Sequence, residues 1–456
     1  MVIHPADNVE IHADGHKYAR RAIRRGENVV KYGMPIGHAT RDIRPGEHVH
    51  VHNLATNLDG ALRYDYAPDP AALRPAGPPP DARTIRAYRR ADGRVGVRND
   101  IWVVPTVGCV NRLCERLAAT CGGLALTHPY GCSQLGGDHE RTANLLAALA
   151  RHPNAGGVLV VALGCENNTL DSFVARLGLA PDALPPNVRL LRAQDPGDEF
   201  ARGRALIGEL LANRPSERVE VPVSELVVGL KCGGSDGLSG LTANPLVGRF
   251  SDWLVARGGS TVLTEVPEMF GAETLLMRRC RTRAVFDRCV AMVNGFKDYY
   301  ARHGQVCYEN PSPGNKAGGI STLEDKSLGC VQKGGSSPVE DVLDYGARVR
   351  THGLSLLAGP GNDLVAATAL AAAGCHLVLF TTGRGTPFGT VVPTLKVASN
   401  AALAAAKPQW IDWDAQTHAG TEAFAEKVLA VASGEETRNE RAGDRGIAIF
   451  KDGVTL

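Results

Sequence analysis

The residues with the most evident chemistry are cysteines that follow short apolar runs. Ile101-Trp102-Val103-Val104 leads to Gly108-Cys109, and Leu124-Ala125-Leu126 leads to Gly131-Cys132. Val158-Leu159-Val160-Val161 leads to Gly164-Cys165, and Leu226 to Leu230 leads to Cys232-Gly233. Thiolates in such positions suit iron or zinc. The alternative is that cysteine, being small, packs well beneath tight turns. No C-x-x-C pair occurs, which argues against a compact zinc ribbon. The last run continues as Gly234-Ser235-Asp236-Gly237, then Ser239-Gly240, with Asn244-Pro245 at a helix start. A strand feeding a glycine-rich turn and a helix N-terminus can form an anion site, because backbone N–H groups and the helix dipole face the ligand. The spacing fits neither a dinucleotide fingerprint nor a phosphate loop. The stretch reads as a pocket for a small anion, with Cys232 and Asp236 at its mouth, or as a structural turn.

Further polar groups stand at other strand ends. Thr261 to Thr264 leads to Glu265-Val266-Pro267-Glu268, Leu354 to Ala358 leads to Gly359-Pro360-Gly361-Asn362-Asp363, and His376 to Thr381 leads to a turn carrying Arg384 and Thr386. Arg384, flanked by glycines, is placed to bind a carboxylate in bidentate fashion. The loop Asn310 to Gly319 carries Lys316, and Lys326 follows; either is a candidate amine base if burial lowers its pKa.

These groups need elements to hold them. Apolar strands alternate with helical stretches such as Arg141–Arg151 and Glu199–Leu211, a pattern of parallel sheets. In open parallel sheets ligands bind outside the carboxyl ends of the strands, so the cysteines and loops above are predicted to share a rim. Residues 1–63 read differently. Ile23-Arg24-Arg25-Gly26-Glu27 and Ile43-Arg44-Pro45-Gly46-Glu47 repeat a strand–turn–strand unit, which suggests a small β domain with a core of Ile23, Val29, Ile36, Ile43, Val49 and Val51. His48, His50 and His52 alternate and share one strand face, either to bind metal or to form a solvated surface. A stretch with six prolines follows, and residues 64–87 read as a linker. Two α/β parts, 88–222 and 223–456, complete the chain, whose 456 residues exceed one ordinary core.

Composition limits the function. Net charge is +2, without a basic run, so nucleic acid is not an implied partner. Leu364 to Phe380 is the stretch nearest to a membrane span, but Gly374, Cys375 and His376 interrupt it, and a buried helix followed by a strand explains it better. Eleven cysteines without an apolar N-terminal signal core read as reduced thiols of the cytoplasm.

The loops PTVGCVN, HPYGCSQLG, LGCENN, CGGSDGLSGLTANP, TEVPEMFGAE, NPSPGNKAGG, TLEDKSLGC and FTTGRGTPFG occur in order. With YGMPIGHA near the start and AIFKDGVTL at the end, they resemble the altronate/galactarate dehydratase family of sugar-acid hydro-lyases. Gly108-Cys109-Val110-Asn111 and Cys132 to Gly136 look like the altronate branch. Around Glu10 to His16 the chain is shorter than that pattern. The resemblance implies a β-clip (SAF-like) N-terminal domain, a middle α/β domain associated with dimer formation, and a C-terminal Rossmann-like domain. It also implies dehydration of D-altronate to 2-keto-3-deoxy-D-gluconate, with Fe2+ or Mn2+ as the metal, in a homodimer. The same chemistry on galactarate, an iron–sulfur dehydratase and a non-catalytic sugar-acid binder are the other readings.

Roles are then expected as follows. Cys132, Cys165 and Cys232 supply metal ligands, with Glu265 as a carboxylate ligand. Ser235, Asp236, Asn244, Asn362, Arg384 and Thr386 hold the sugar acid. Lys316 is the base and His139 the acid. An oxygen-ligand site of Asp236, Glu265 and Asp325 is the alternative.

Overall fold

Seven parallel strands form the largest sheet, in the order Val339–Leu343, Gly353–Leu357, Ser260–Leu263, Val227–Cys232, Leu377–Thr382, Thr394–Ala398 and Trp413–Asp414. They belong to a computed structural model that describes residues 1–74 and 81–453. Val227–Cys232 is both the first of these strands in the chain and the middle one in the sheet. The chain winds to one side of it, crosses back, and continues on the other side. Such a reversal opens a crevice at the carboxyl ends of the central strands. Residues 228–232 are all buried, because helices cover both faces. At Gly229 a side chain would press within 3.0 Å of Leu370, so the helix Asp363–Ala372 lies close on the sheet. Its alanines and the following strand Leu377–Thr382 account for the apolar stretch in that region. Among the described residues, no helix is long and apolar enough to cross a membrane.

A second parallel sheet, ordered Leu124–Ala125, Asp100–Pro105, Ala155–Ala162 and Val188–Arg192, forms the middle part. A small antiparallel sheet joins it to the larger part, with Thr84–Arg89 between Val219–Pro222 and Val95–Gly96. The last residues of the stretch expected to be linker therefore lie in a strand. Its first residues lie on the large domain, where Tyr64 donates to Glu273 at 2.5 Å and the Asp69 amide to the carbonyl of Arg278 at 2.9 Å. Residues 75–80 of the expected linker fall outside the described residues.

The N-terminal part is built from two three-stranded antiparallel sheets. The repeat seen in sequence is a structural repeat. Gly26 and Gly46 take left-handed φ of 81° and 77°. Glu27 and Glu47 each accept from the backbone N–H three residues earlier at 3.0 Å. Ile23, Val29, Ile36, Ile43 and Val49 are buried as expected. Val51 is not; the strand ends at Val49 and the chain turns, which leaves Val51 half exposed.

Candidate metal centre

The crevice holds a closed cluster of ionisable side chains. Lys231 and Cys232 end the central strand, and Glu265 and Glu268 come from the loop after the neighbouring strand. Cys330 ends the helix Leu323–Cys330, and Lys333 lies in the turn beyond it. Glu265 has φ 72°, a conformation that a residue with a side chain adopts at a cost and that turns the loop toward Cys232. Cys232 Sγ is 3.1 Å from Glu268 Oε2 and 3.4 Å from Cys330 Sγ, and Cys330 Sγ is 3.2 Å from the same Glu268 oxygen. All three side chains are buried. Ligand atoms sharing one transition ion at bonds of ~2.0–2.3 Å lie ~3–3.8 Å apart, so these separations suit a common ion.

Lysines surround the group. Lys333 Nζ is 2.9 Å from Cys232 Sγ, and Lys326 Nζ is 2.6 Å from Glu268 Oε1. Lys231 Nζ reaches Glu265 at 2.6 Å and Asp363 at 2.8 Å. Against the cost of burial, Lys326, Lys333 and Lys231 hold the Glu268 carboxyl down to about 2. Burial instead raises the Glu265 carboxyl, although Lys231 opposes it. The hydrogen bond with Cys232, then burial, pushes the Cys330 thiol well above its ordinary range. Three ammonium groups face three carboxyl groups, Glu265, Glu268 and Asp363. Ionising both thiols would add two negative charges, which is the charge that one divalent cation neutralises. The residues present therefore fit a divalent metal, and the group Cys232, Glu268 and Cys330 can hold one.

The ligand set expected from sequence is only partly this one. Cys232 belongs to it. Glu265 lies next to it, receiving the Cys232 amide at 3.0 Å, but its other oxygen is taken by Lys231. Cys132 and Cys165 are exposed on the rim of the other sheet, where Cys165 Sγ accepts from Gln194 at 3.6 Å. Among the described residues they do not join a ligand group, because the four cysteine-bearing strands are divided between two sheets. The oxygen-ligand alternative is not assembled either. Asp236 accepts from Ser239, Ser399 and Asn400, and Asp325 is held between Lys17 and Lys31.

The other expected residues separate into two kinds. Asn244 is a buried strut that links Gly329 at 3.0 Å and Thr381 at 2.6 Å, Asn362 caps the helix Asp363–Ala372, and Thr386 accepts from the Phe388 amide. Their polar groups are engaged in shaping loops. Ser235 is buried in the glycine-rich turn with a hydroxyl that has no protein partner, and Arg384 is exposed on a loop pinned to Gly234. Lys316 lies in a short helix closed by a capping box, in which the neighbouring Asn315 bonds the Ser235 carbonyl at 2.8 Å. Lys326 does not suit a base, since Glu268 keeps its ammonium charged despite burial. His139 is on the middle-domain helix Gly136–Ala150, with a buried Nδ1 that has no partner.

Models of three family domains match the chain: the altronate/galactarate dehydratase SAF domain over residues 2–57, the D-galactarate dehydratase/altronate hydrolase second domain over 87–214, and the D-galactarate/altronate dehydratase C-terminal domain over 223–455. The chain belongs to the altronate/galactarate dehydratase family. Altronate dehydratases of Bacillus subtilis and Escherichia coli are each 53% identical to it, over 97% of this chain and 92% of theirs. The Escherichia coli galactarate dehydratase (L-threo-forming) is 32% identical over 93% of this chain and 83% of its own. Within this dehydratase family chain, reading by strand ends reached Glu268 and Lys231 without giving either a role, and it missed Cys330 and Lys333. Cys330 ends a helix rather than a strand, so that pattern could not find it, although the motif TLEDKSLGC contains it.

Proposed function

We propose that this protein is a hydro-lyase that converts D-altronate to 2-keto-3-deoxy-D-gluconate and water. The observation that carries the reading is the near full-length identity to altronate dehydratases, well above that to the galactarate enzyme. The buried thiol–carboxylate group at the crevice supports the chemistry.

In this reaction the C2–H bond breaks, its electron pair forms the C2–C3 double bond, and hydroxide leaves C3. The enol then ketonises. Charge develops beside the substrate carboxylate, so the site must offer positive charge fixed in advance. Lys231, Lys326 and Lys333 are held charged in the cluster. We assign Cys232, Cys330 and Glu268 as the residues that hold Fe2+, for which thiolates are better suited than for Mn2+. When bound, the ion supplies Lewis-acid polarisation of substrate oxygen. Arg384 binds the substrate carboxylate, and the unpartnered Ser235 hydroxyl receives a substrate hydroxyl. Lys316 takes the C2 proton, and His139 is the acid for the departing hydroxyl. Domain limits at 63, 87 and 222, a homodimer formed through the middle domain, and a cytoplasmic location suited to reduced thiols complete the proposal.

The test is an anaerobic assay with ferrous iron and thiol, following 2-keto-3-deoxy acid formation from D-altronate with galactarate in parallel. Product from altronate alone is the expected result. Product from galactarate alone would reassign the substrate, and product from neither would remove the catalytic reading. Visible absorption with acid-labile sulfide would replace the single ion with a cluster.

A further inference from the structure

The small β domain gathers four histidines, His16, His48, His50 and His52, apart from the Cys232 group. Lys17–Ala19 pairs with His48–Val49, and Tyr18 stands directly opposite His48. This register brings His16, just before the strand, across to His48. His16 Nδ1 and His48 Nε2 are 3.1 Å apart. His50 stacks on His48 with ring centres 5.4 Å apart, and the His52 ring is 5.6 Å from that of His48. His50 Nε2 lies 2.9 Å from the carbonyl oxygen of Lys316. A carbonyl accepts only, so Nε2 carries the proton and Nδ1 keeps its lone pair. An imidazole whose far N–H is held by a carbonyl is the usual arrangement of a metal-binding histidine, since that bond sets both tautomer and ring direction.

We propose that His16, His48 and His50 form a site for a divalent transition ion of the zinc, nickel or cobalt type, with His52 at its open side. The 3.1 Å separation of the His16 and His48 nitrogens is that of neighbouring ligands on such an ion, at bonds of ~2.0–2.1 Å. His50 stands farther off, its ring centre 6.1 Å from that of His16; the three do not bring one ligand atom each within 4.8 Å in this structure, so the ion must draw His50 inward to close the site. The rings are partly exposed, which leaves a path for the ion. The position also gives the ion a consequence. Through His50 it sits against the loop that carries Lys316, where the small domain meets the large one.

Cobalt(II) titration of the anaerobic full-length protein separates this site from the thiol group, because a thiolate ligand adds an ultraviolet charge-transfer band and an imidazole ligand does not. The expected result is two equivalents of cobalt per chain, one with the thiolate band and one without. The His16→Asn/His48→Asn double variant, checked for native unfolding behaviour, should lose only the equivalent without the band, with at least a tenfold weaker affinity. A single equivalent carrying the thiolate band, or a second equivalent unaffected by the double variant, would overturn the proposal. Loss of the thiolate band alone would count against the Cys232 ligand set and leave the histidine site standing. If the double variant keeps its metal content but loses turnover, these histidines serve the substrate rather than an ion, and the proposal fails.

Discussion

Cys330 is where residue-level reasoning can be tested most directly. It makes contact with both other members of the group and has no other evident polar task. Cys330→Ser is expected to lower bound iron and turnover together, by more than the ~10–100-fold typical of changes one shell further out; metal analysis beside the keto-acid assay checks this. Normal iron content would remove Cys330 from the ligand set. Lys326 tests the electrostatic balance. Lys326→Met leaves the buried Glu268 carboxylate without its nearest cation, and breaking such a pair costs about 3–5 kcal/mol. The loss should appear in the urea midpoint of the metal-free protein, and an unchanged midpoint would mean that Lys333 alone suffices. Arg384 belongs to a different class. It is exposed, so Arg384→Ala should raise KM at little cost in stability.

At the scale of elements, the small β domain is fastened to the large one by a buried charge triad. Lys17 and Lys31 reach Asp325 at 2.7 and 2.9 Å, and Lys17 also donates to the carbonyl of Gly319. Burial lowers Lys17 to about 8, while Asp325 keeps Lys31 charged despite its burial. Asp325→Asn leaves both amines in the interface without a counter-charge. The expected cost is about 3–5 kcal/mol, localised at the junction, so hydrogen exchange should rise in residues 1–57 before it rises elsewhere. Uniform protection across the chain would show that apolar packing, not the triad, holds the domain. The backbone contact nearby makes a second case: a Cβ on Gly237 would lie 1.9 Å from the Gly15 carbonyl oxygen, so Gly237→Ala should loosen the same junction.

Across the whole molecule, buried neutral histidines join the middle part to the large domain. His376 accepts the Val227 amide at 3.0 Å and donates to the Val95 carbonyl at 2.8 Å; His152 bonds the carbonyl of Cys375 at 3.2 Å. Burial lowers His376 and His128 to about 4 and His152 further still. The unfolded chain binds a proton at each near 6.5, whereas the folded chain resists until about 4. Stability from these groups is therefore complete above about pH 6.5 and is lost as pH falls through the window toward 4. A histidine lowered from 6.5 to about 4, as His376 is, contributes about 3 kcal/mol. Urea midpoints measured between pH 4 and 7 should fall steadily with acid, and His376→Gln should flatten that slope. An unchanged slope in the variant would place the acid sensitivity elsewhere.

Much of this architecture was legible in the chain itself. The period of apolar runs marks the parallel strands, the Gly26 and Gly46 turns mark the repeat, and both follow from local sterics and alternation, which need no partner. Ordered loop motifs were enough to indicate the family. The metal group was not legible in the same way. Cys232 and Cys330 are 98 residues apart, and Glu268 reaches them because the strand Ser260–Leu263 happens to neighbour the central one. Strand order decides which loops meet, and it is set by how helices cover the two faces of the sheet, not by any one loop's residues. Four cysteines that look equivalent in sequence thus become one buried at the crevice and three exposed on another sheet. Lys326, which in sequence reads equally well as a base, becomes a fixed cation only because the fold sets Glu268 beside it.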